Sequence, residues 1–99
     1  MLETAYKKDT PDAVVNTLEE ARKNNMRITI IYGDRTTGKP WGVIPSQGYV
    51  GRSAITKLPI LLSSKNSGGG VCIMDASILE IRESRSSKII YKLGQTVDV

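Results

Sequence analysis

The hydrophobic pattern of this chain changes once, near Asn24-Asn25, and that change limits what it can fold into. Before it, Val14, Leu18 and Ala21, flanked by Val15, recur at the spacing of one helix face. After it, Arg27-Ile28-Thr29-Ile30-Ile31-Tyr32 is β-branched and suits a pleated strand. The shift from a period of about 3.6 residues to one of about 2 separates a helix from a β region.

The helix has clear boundaries. Thr10 can accept a bond from an orphan backbone N–H, Pro11 suits the first helical position, and Asp12 complements the dipole. Glu19 and Lys23 form a favourable pair four residues apart, and Arg22 and Lys23 suit the last turn. Asn24-Asn25 is a left-handed stop. The spacing predicts a helix over 11–24. Its polar side, with Asn16, Thr17, Glu20 and Lys23, reads as a solvated face.

The remainder reads as short strands broken by turns. Gly33 to Pro40 is dense in turn residues, Trp41 to Pro45 reads as a short irregular strand, and Gly48 to Ser53 as another, thinned by glycine. Leu58 to Leu62 begins near Pro59, which favours a strand start or an edge. Val71 to Met74, Ser77 to Arg82 and Lys88 to Leu93 complete the series. The expected fold is α+β: one N-terminal helix, then a small five- to six-stranded, mostly antiparallel, strongly bent sheet or SH3-like barrel. Closure would limit exposed edges. An open sheet with the helix on one face is the alternative. Residues 1–9 read as a flexible arm, 10–94 as a single domain and 95–99 as a flexible tail. With no Phe, the core is expected to be aliphatic.

Composition narrows the function. The 99 residues contain no His and one Cys, Cys72. Without His, neither a Ser-His-Asp nor a Cys-His site forms within one chain. The common structural zinc sites and an internal disulfide are excluded as well. Cys72 lies in an apolar run and reads as a buried structural thiol. Asp75, Glu80 and Glu83 lie among Arg82, Arg85 and Lys88, which suits cross-strand ion pairs better than a catalytic carboxylate dyad. No apolar run is long enough to span a bilayer and the first residues lack a signal-peptide core, so a reducing cytosol is the expected setting. No cofactor or metal is expected, and the chain reads as non-catalytic.

The net charge of +4 is unevenly distributed. Residues 1–26 carry −1, residues 27–72 carry +5, and residues 73–99 balance. Three segments bear on binding. Ser67-Gly68-Gly69-Gly70, beside Lys65, is either an anion-binding loop of converging N–H groups or a mobile hairpin loop. It is not a P-loop, since the Gly-Lys-Ser/Thr sequence and the following helix are absent. Arg52 between Gly51 and Ser53, with Lys57 nearby, suits a phosphate or carboxylate, or is a solvated strand end. Tyr32 to Trp41 combines two aromatics with Arg35 and Lys39, the mixture that base stacking and phosphate neutralisation need. Trp41 alternatively closes one end of the core.

Tyr32-Gly33-Asp34, Thr37-Gly38-Lys39, Trp41, Gly48-Tyr49-Val50-Gly51-Arg52-Ser53, Pro59-Ile60-Leu61-Leu62 and Ser67-Gly68-Gly69 together resemble a family of small proteins encoded by phages, prophages and plasmids. The resemblance spans about residues 10–92. It implies a genomic context and no mechanism. That family often ends in a His-bearing tail, which Tyr91-Lys92-Leu93-Gly94 lacks. The expected function is a binding module with a basic surface from Arg35 to Lys65 for a phosphate-bearing partner, most simply nucleic acid. The alternatives are an inhibitor or adaptor acting on a bacterial host protein such as a defence system, and small-nucleotide capture by the glycine loop and Arg52. An exposed edge would also permit a homodimer.

Overall fold

The computed structural model describes residues 10–42, 45–62, 71–73 and 75–94. Helix α1 spans Pro11–Lys23. Thr10 caps it by accepting the Ala13 N–H at 3.0 Å. At its other end the Met26 N–H returns to the Ala21 carbonyl at 2.9 Å, and Asn25 takes a left-handed φ of 51°. Both ends thus lie where the capping residues put them.

Strand β1 (Arg27–Asp34) follows, then β2 (Lys39–Pro40), β3 (Ser46–Arg52), β4 (Pro59–Leu62), β5 (Val71–Cys72), β6 (Ile78–Glu83) and β7 (Ile89–Lys92), with a 3-10 turn at Asp75–Ser77 before β6. The spatial order is β5-β4-β3-β1-β6-β7, antiparallel throughout, and β2 pairs with the end of β1. The α+β class and the order of helix and strands match expectation. Barrel closure does not occur: the sheet is open, with β5 and β7 at its two ends. The helix covers one face and touches β3 on one side and β7 on the other. That burial substitutes for closure, because the sheet needs only one covered face. The strand expected at 41–45 is replaced by the two-residue β2 just before it; Val43 and Ile44 lie outside the described residues.

The core lies between α1 and the facing side of the sheet. Ala13, Val14, Leu18 and Ala21 meet Ile28, Ile30, Val50, Leu61, Ile78 and Ile81. Two expectations change here. Tyr91 is fully buried and Tyr32 nearly so, so the core is not purely aliphatic. Thr17, expected on the solvated side of the helix, is also buried. Its hydroxyl donates to the Ala13 carbonyl at 2.7 Å, which satisfies the polar atom and leaves the methyl to pack. Among the described residues no buried side-chain nitrogen or oxygen lacks a hydrogen-bond partner.

Two glycines allow close backbone approach. A β-carbon on Gly33 would overlap the Leu79 side chain and the Lys39 carbonyl oxygen, where β2 folds back on β1. One on Gly48 would overlap the Leu62 carbonyl oxygen, where β4 leans over β3. Only glycine fits at either position.

Candidate functional site

Strand register decides which cations stand together. Gly33 and Asp34 pair with β2 at one end of β1, while Arg27 faces Tyr49 at the other. Arg52 lies three residues beyond Tyr49. At about 3.3 Å per residue, Arg35 and Arg52 are separated by roughly 35 Å along the strands. The described cations of the +5 segment therefore do not form one patch. Arg35, Lys39 and Trp41 occupy the β1–β2 hairpin; Arg52 and Lys57 lie at the far end. Lys65 and Ser67, Gly68, Gly69 and Gly70 lie outside the described residues, as does the Cys72 side chain.

The β1–β2 hairpin is held by its own contacts. Asp34 accepts the Thr36 N–H on its side chain at 2.8 Å and the Gly38 N–H on its carbonyl at 2.7 Å. Gly38 supplies the positive φ, 76°, that the turn requires. The Arg35 guanidinium lies 5.8 Å from the centre of the buried Tyr91 ring. Trp41 stacks on Tyr32 with ring centres 6.5 Å apart and remains 42% exposed. It covers the end of the core with one face and meets solvent with the other. Arg35 and Trp41 are thus engaged in closing this end of the protein.

The opposite end gathers more charge. The last turn of α1 brings Arg22 and Lys23, the start of β1 brings Arg27, the end of β3 brings Arg52, the β3–β4 connection brings Lys57, and the β6–β7 connection brings Arg85 and Lys88. The carboxylates there are Glu19, Glu20 and Glu83. Glu19, expected to pair with Lys23, is instead held by Arg22 at 2.9 Å and Arg52 at 2.6 Å. Partial burial would raise the Glu19 carboxyl, but its hydrogen bonds to Arg22 and Arg52 and their charges outweigh that and hold it below the usual carboxylate range. Glu80 faces Lys92 in register but bonds to Arg82 on its own strand, and Glu83 accepts from the Ser86 hydroxyl.

An open cleft of about 610 Å³ lies at this cationic end. Its walls are the helix-to-strand turn (Asn24, Asn25, Met26), the paired strands (Arg27, Gln47, Tyr49) and the start of the β6–β7 connection (Glu83, Ser84, Arg85). Arg27 and Tyr49 are direct cross-strand partners, as are Thr29 and Gln47. Alternation from the buried Ile28 and Ile30 puts these four side chains on the sheet face away from the helix. The Arg27 guanidinium lies 5.9 Å from the centre of the Tyr49 ring. The third wall is fixed by the Ser84 N–H on the Arg27 carbonyl at 2.9 Å and by the 2.8 Å bond between the Ser84 and Thr29 hydroxyls. Guanidinium, amide, hydroxyl and carboxylate groups surround one aromatic ring.

Sequence reasoning misses Arg27, Gln47, Tyr49 and Arg85 as site residues. Arg27 reads only as the start of a strand, and nothing local joins it to Tyr49. The available signal is parity: Arg27 and Thr29 on one strand, and Gln47 and Tyr49 on another, mark a polar outer face.

The β3–β4 connection is a further exposed feature. The Ser53 hydroxyl accepts the Ile55 and Thr56 N–H groups at 3.2 and 3.1 Å, and the Ser53 N–H donates to the Leu58 carbonyl at 2.9 Å. This ordered turn leaves Ile55 91% and Leu58 63% exposed.

Comparison with known protein families, curated proteins and solved structures gives no match to this chain. Among the described residues no three His, Cys, Asp or Glu side chains are grouped to hold a metal ion, and no helix is long and apolar enough to cross a membrane.

Proposed function

We propose that this chain is a non-catalytic module that binds a phosphate-bearing partner, most simply nucleic acid, at the end of the sheet where β1 begins. The observation that carries this reading is the gathering of cations at three connections, α1–β1, β3–β4 and β6–β7, at the end of the sheet that holds one polar cleft, which Arg27 and Arg85 line. Converging positive charge raises the local concentration of a polyanion and speeds its encounter. Neutralising phosphates also releases their counterions, so affinity falls as salt rises. The resemblance to small proteins of phages, prophages and plasmids would set this activity inside a bacterial cell.

Fluorescence anisotropy with labelled oligonucleotides across a salt series tests the reading. A linear fall of log affinity with log salt supports it. Absence of binding at low salt, or binding indifferent to salt, overturns it.

A protein partner, as for an inhibitor or adaptor, is the second reading, and Ile55 and Leu58 favour it. An ordered turn that projects two aliphatic side chains into water suits a protein contact better than a purely solvated loop. Pull-down from nuclease-treated bacterial lysate separates the readings. A stoichiometric protein retained by the wild type and absent with Ile55→Asp would favour the second.

A further inference from the structure

We infer that the cleft at the cationic end holds one nucleotide unit of a single-stranded nucleic acid, its base on the stacked Arg27–Tyr49 pair and its phosphate on Arg85. The inference rests on the proposed nucleic-acid reading and narrows it to a strand form and a site. Phosphate recognition needs a cation with several donors, and Arg85 supplies one at the cleft wall. A base needs a flat, polarisable surface. The Arg27 guanidinium, itself seated over the Tyr49 ring, offers such a plane, and bases stack on guanidinium groups as well as on rings. A base edge also needs donors and acceptors. The Asn25 and Gln47 amides and the Glu83 carboxylate line the same space. The volume of about 610 Å³ lies within the usual range of small-ligand sites.

The form of the protein favours a single strand over a duplex. The cleft is concave, and a base inside a duplex cannot leave its stack without losing its pairing. A helix entering a major groove needs a surface compatible with flanking phosphates. The outward side of α1 instead presents Asp12 and Glu20, both exposed. The cation pair of Arg22 and Arg52 is directed at Glu19.

The test compares a labelled single-stranded oligonucleotide, its duplex and free nucleoside monophosphates. Wild-type protein is measured beside Arg85→Ala, Gln47→Ala and Tyr49→Leu. Thermal melts confirm that each variant is folded. Arg85 and Gln47 are exposed, so their variants remain informative if Tyr49→Leu does not fold. The expected result is single-strand binding at least about tenfold tighter than duplex binding. Tyr49→Leu should weaken it about tenfold or more, the scale of removing one base stack. In an amide-detected NMR titration the Asn25 and Gln47 side-chain NH₂ signals should shift on binding. Free monophosphates that bind with the same sensitivity to the variants would support a nucleotide site and assign its source to free nucleotide. Equal binding of duplex and single strand, unaffected by all three variants, overturns the inference while leaving nucleic-acid binding intact. No binding of any nucleic acid overturns the proposed function itself.

Discussion

Arg52 on β3 donates to the same oxygen of Glu19 that Arg22 holds from within the helix, at 2.6 Å and 2.9 Å. One carboxylate thus ties the last turns of α1 to the end of β3. Sequence separation hides the relation: Arg52 looks like a free cation in an acid-free stretch, yet the fold supplies its acid from the helix.

A carboxyl held below its ordinary range binds its proton less readily in the folded chain than in the unfolded one. Its stabilising effect is complete above the unfolded value and is lost as pH falls through the folded one. Arg52→Ala should lower stability at neutral pH by a few tenths to about 1 kcal/mol, the scale of a solvent-exposed ion pair. The difference from wild type should shrink as pH falls below the ordinary carboxylate range, as Glu19 becomes protonated. Urea unfolding at neutral and acidic pH measures both. A difference of equal size at both pH values would assign the role of Arg52 to packing.

Gly33 sets a sterner condition. Two of the three groups that a β-carbon there would meet are backbone atoms of β2, so no rotamer change can relieve the overlap. Gly33→Ala should cost about 2 kcal/mol or more, the upper part of the range for overpacking. Gly42→Ala is the control, because nothing lies within 4 Å of its β-carbon position. It should stay within about 0.5 kcal/mol of wild type. Denaturant midpoints for the two variants decide the matter.

Trp41 is the only tryptophan, and it reports on the wrong end of the molecule for the proposed site. Because Trp41 is 42% exposed, Trp41→Ala should cost about 1–2 kcal/mol, less than the loss of a fully buried tryptophan. Oligonucleotide binding should leave its intrinsic fluorescence nearly unchanged, since the cleft lies at the other end of β1. Strong quenching on binding would relocate the site to the β1–β2 hairpin.

The helix, its caps and most strands are legible in the sequence because they depend on neighbouring residues: Thr10 with Ala13, Asn25 after the last turn, alternation along β1. The tyrosines of the core are less so. Tyr91 sits between Ile90 and Lys92 and resembles any half-exposed strand residue until α1 covers it. Openness of the sheet is also hidden, since both an open and a closed sheet can carry the same short strands. The candidate site is the least legible part. Arg27 and Tyr49 become partners only through antiparallel register, and the uniform run of positive charge conceals a division between two ends of the protein.

That division leads to a direct comparison of two double variants, each removing two cations from the +5 segment or its surroundings. Arg35→Ser with Lys39→Ser strips the β1–β2 hairpin; Lys57→Ser with Arg85→Ser strips the cationic end. Overall charge changes equally, so a general electrostatic attraction would weaken equally in both. A localised site would not. The first pair should leave the salt dependence of oligonucleotide binding nearly unchanged. The second should reduce its slope by about 0.7 for each single-strand phosphate that is no longer neutralised. Arg35 carries one complication, because its guanidinium lies over Tyr91, so the first pair should also lose some stability. Binding measured well below the melting temperature separates that loss from any change in affinity. If both pairs lower the slope alike, the partner spans the full length of β1 and the cleft is only one part of a longer track.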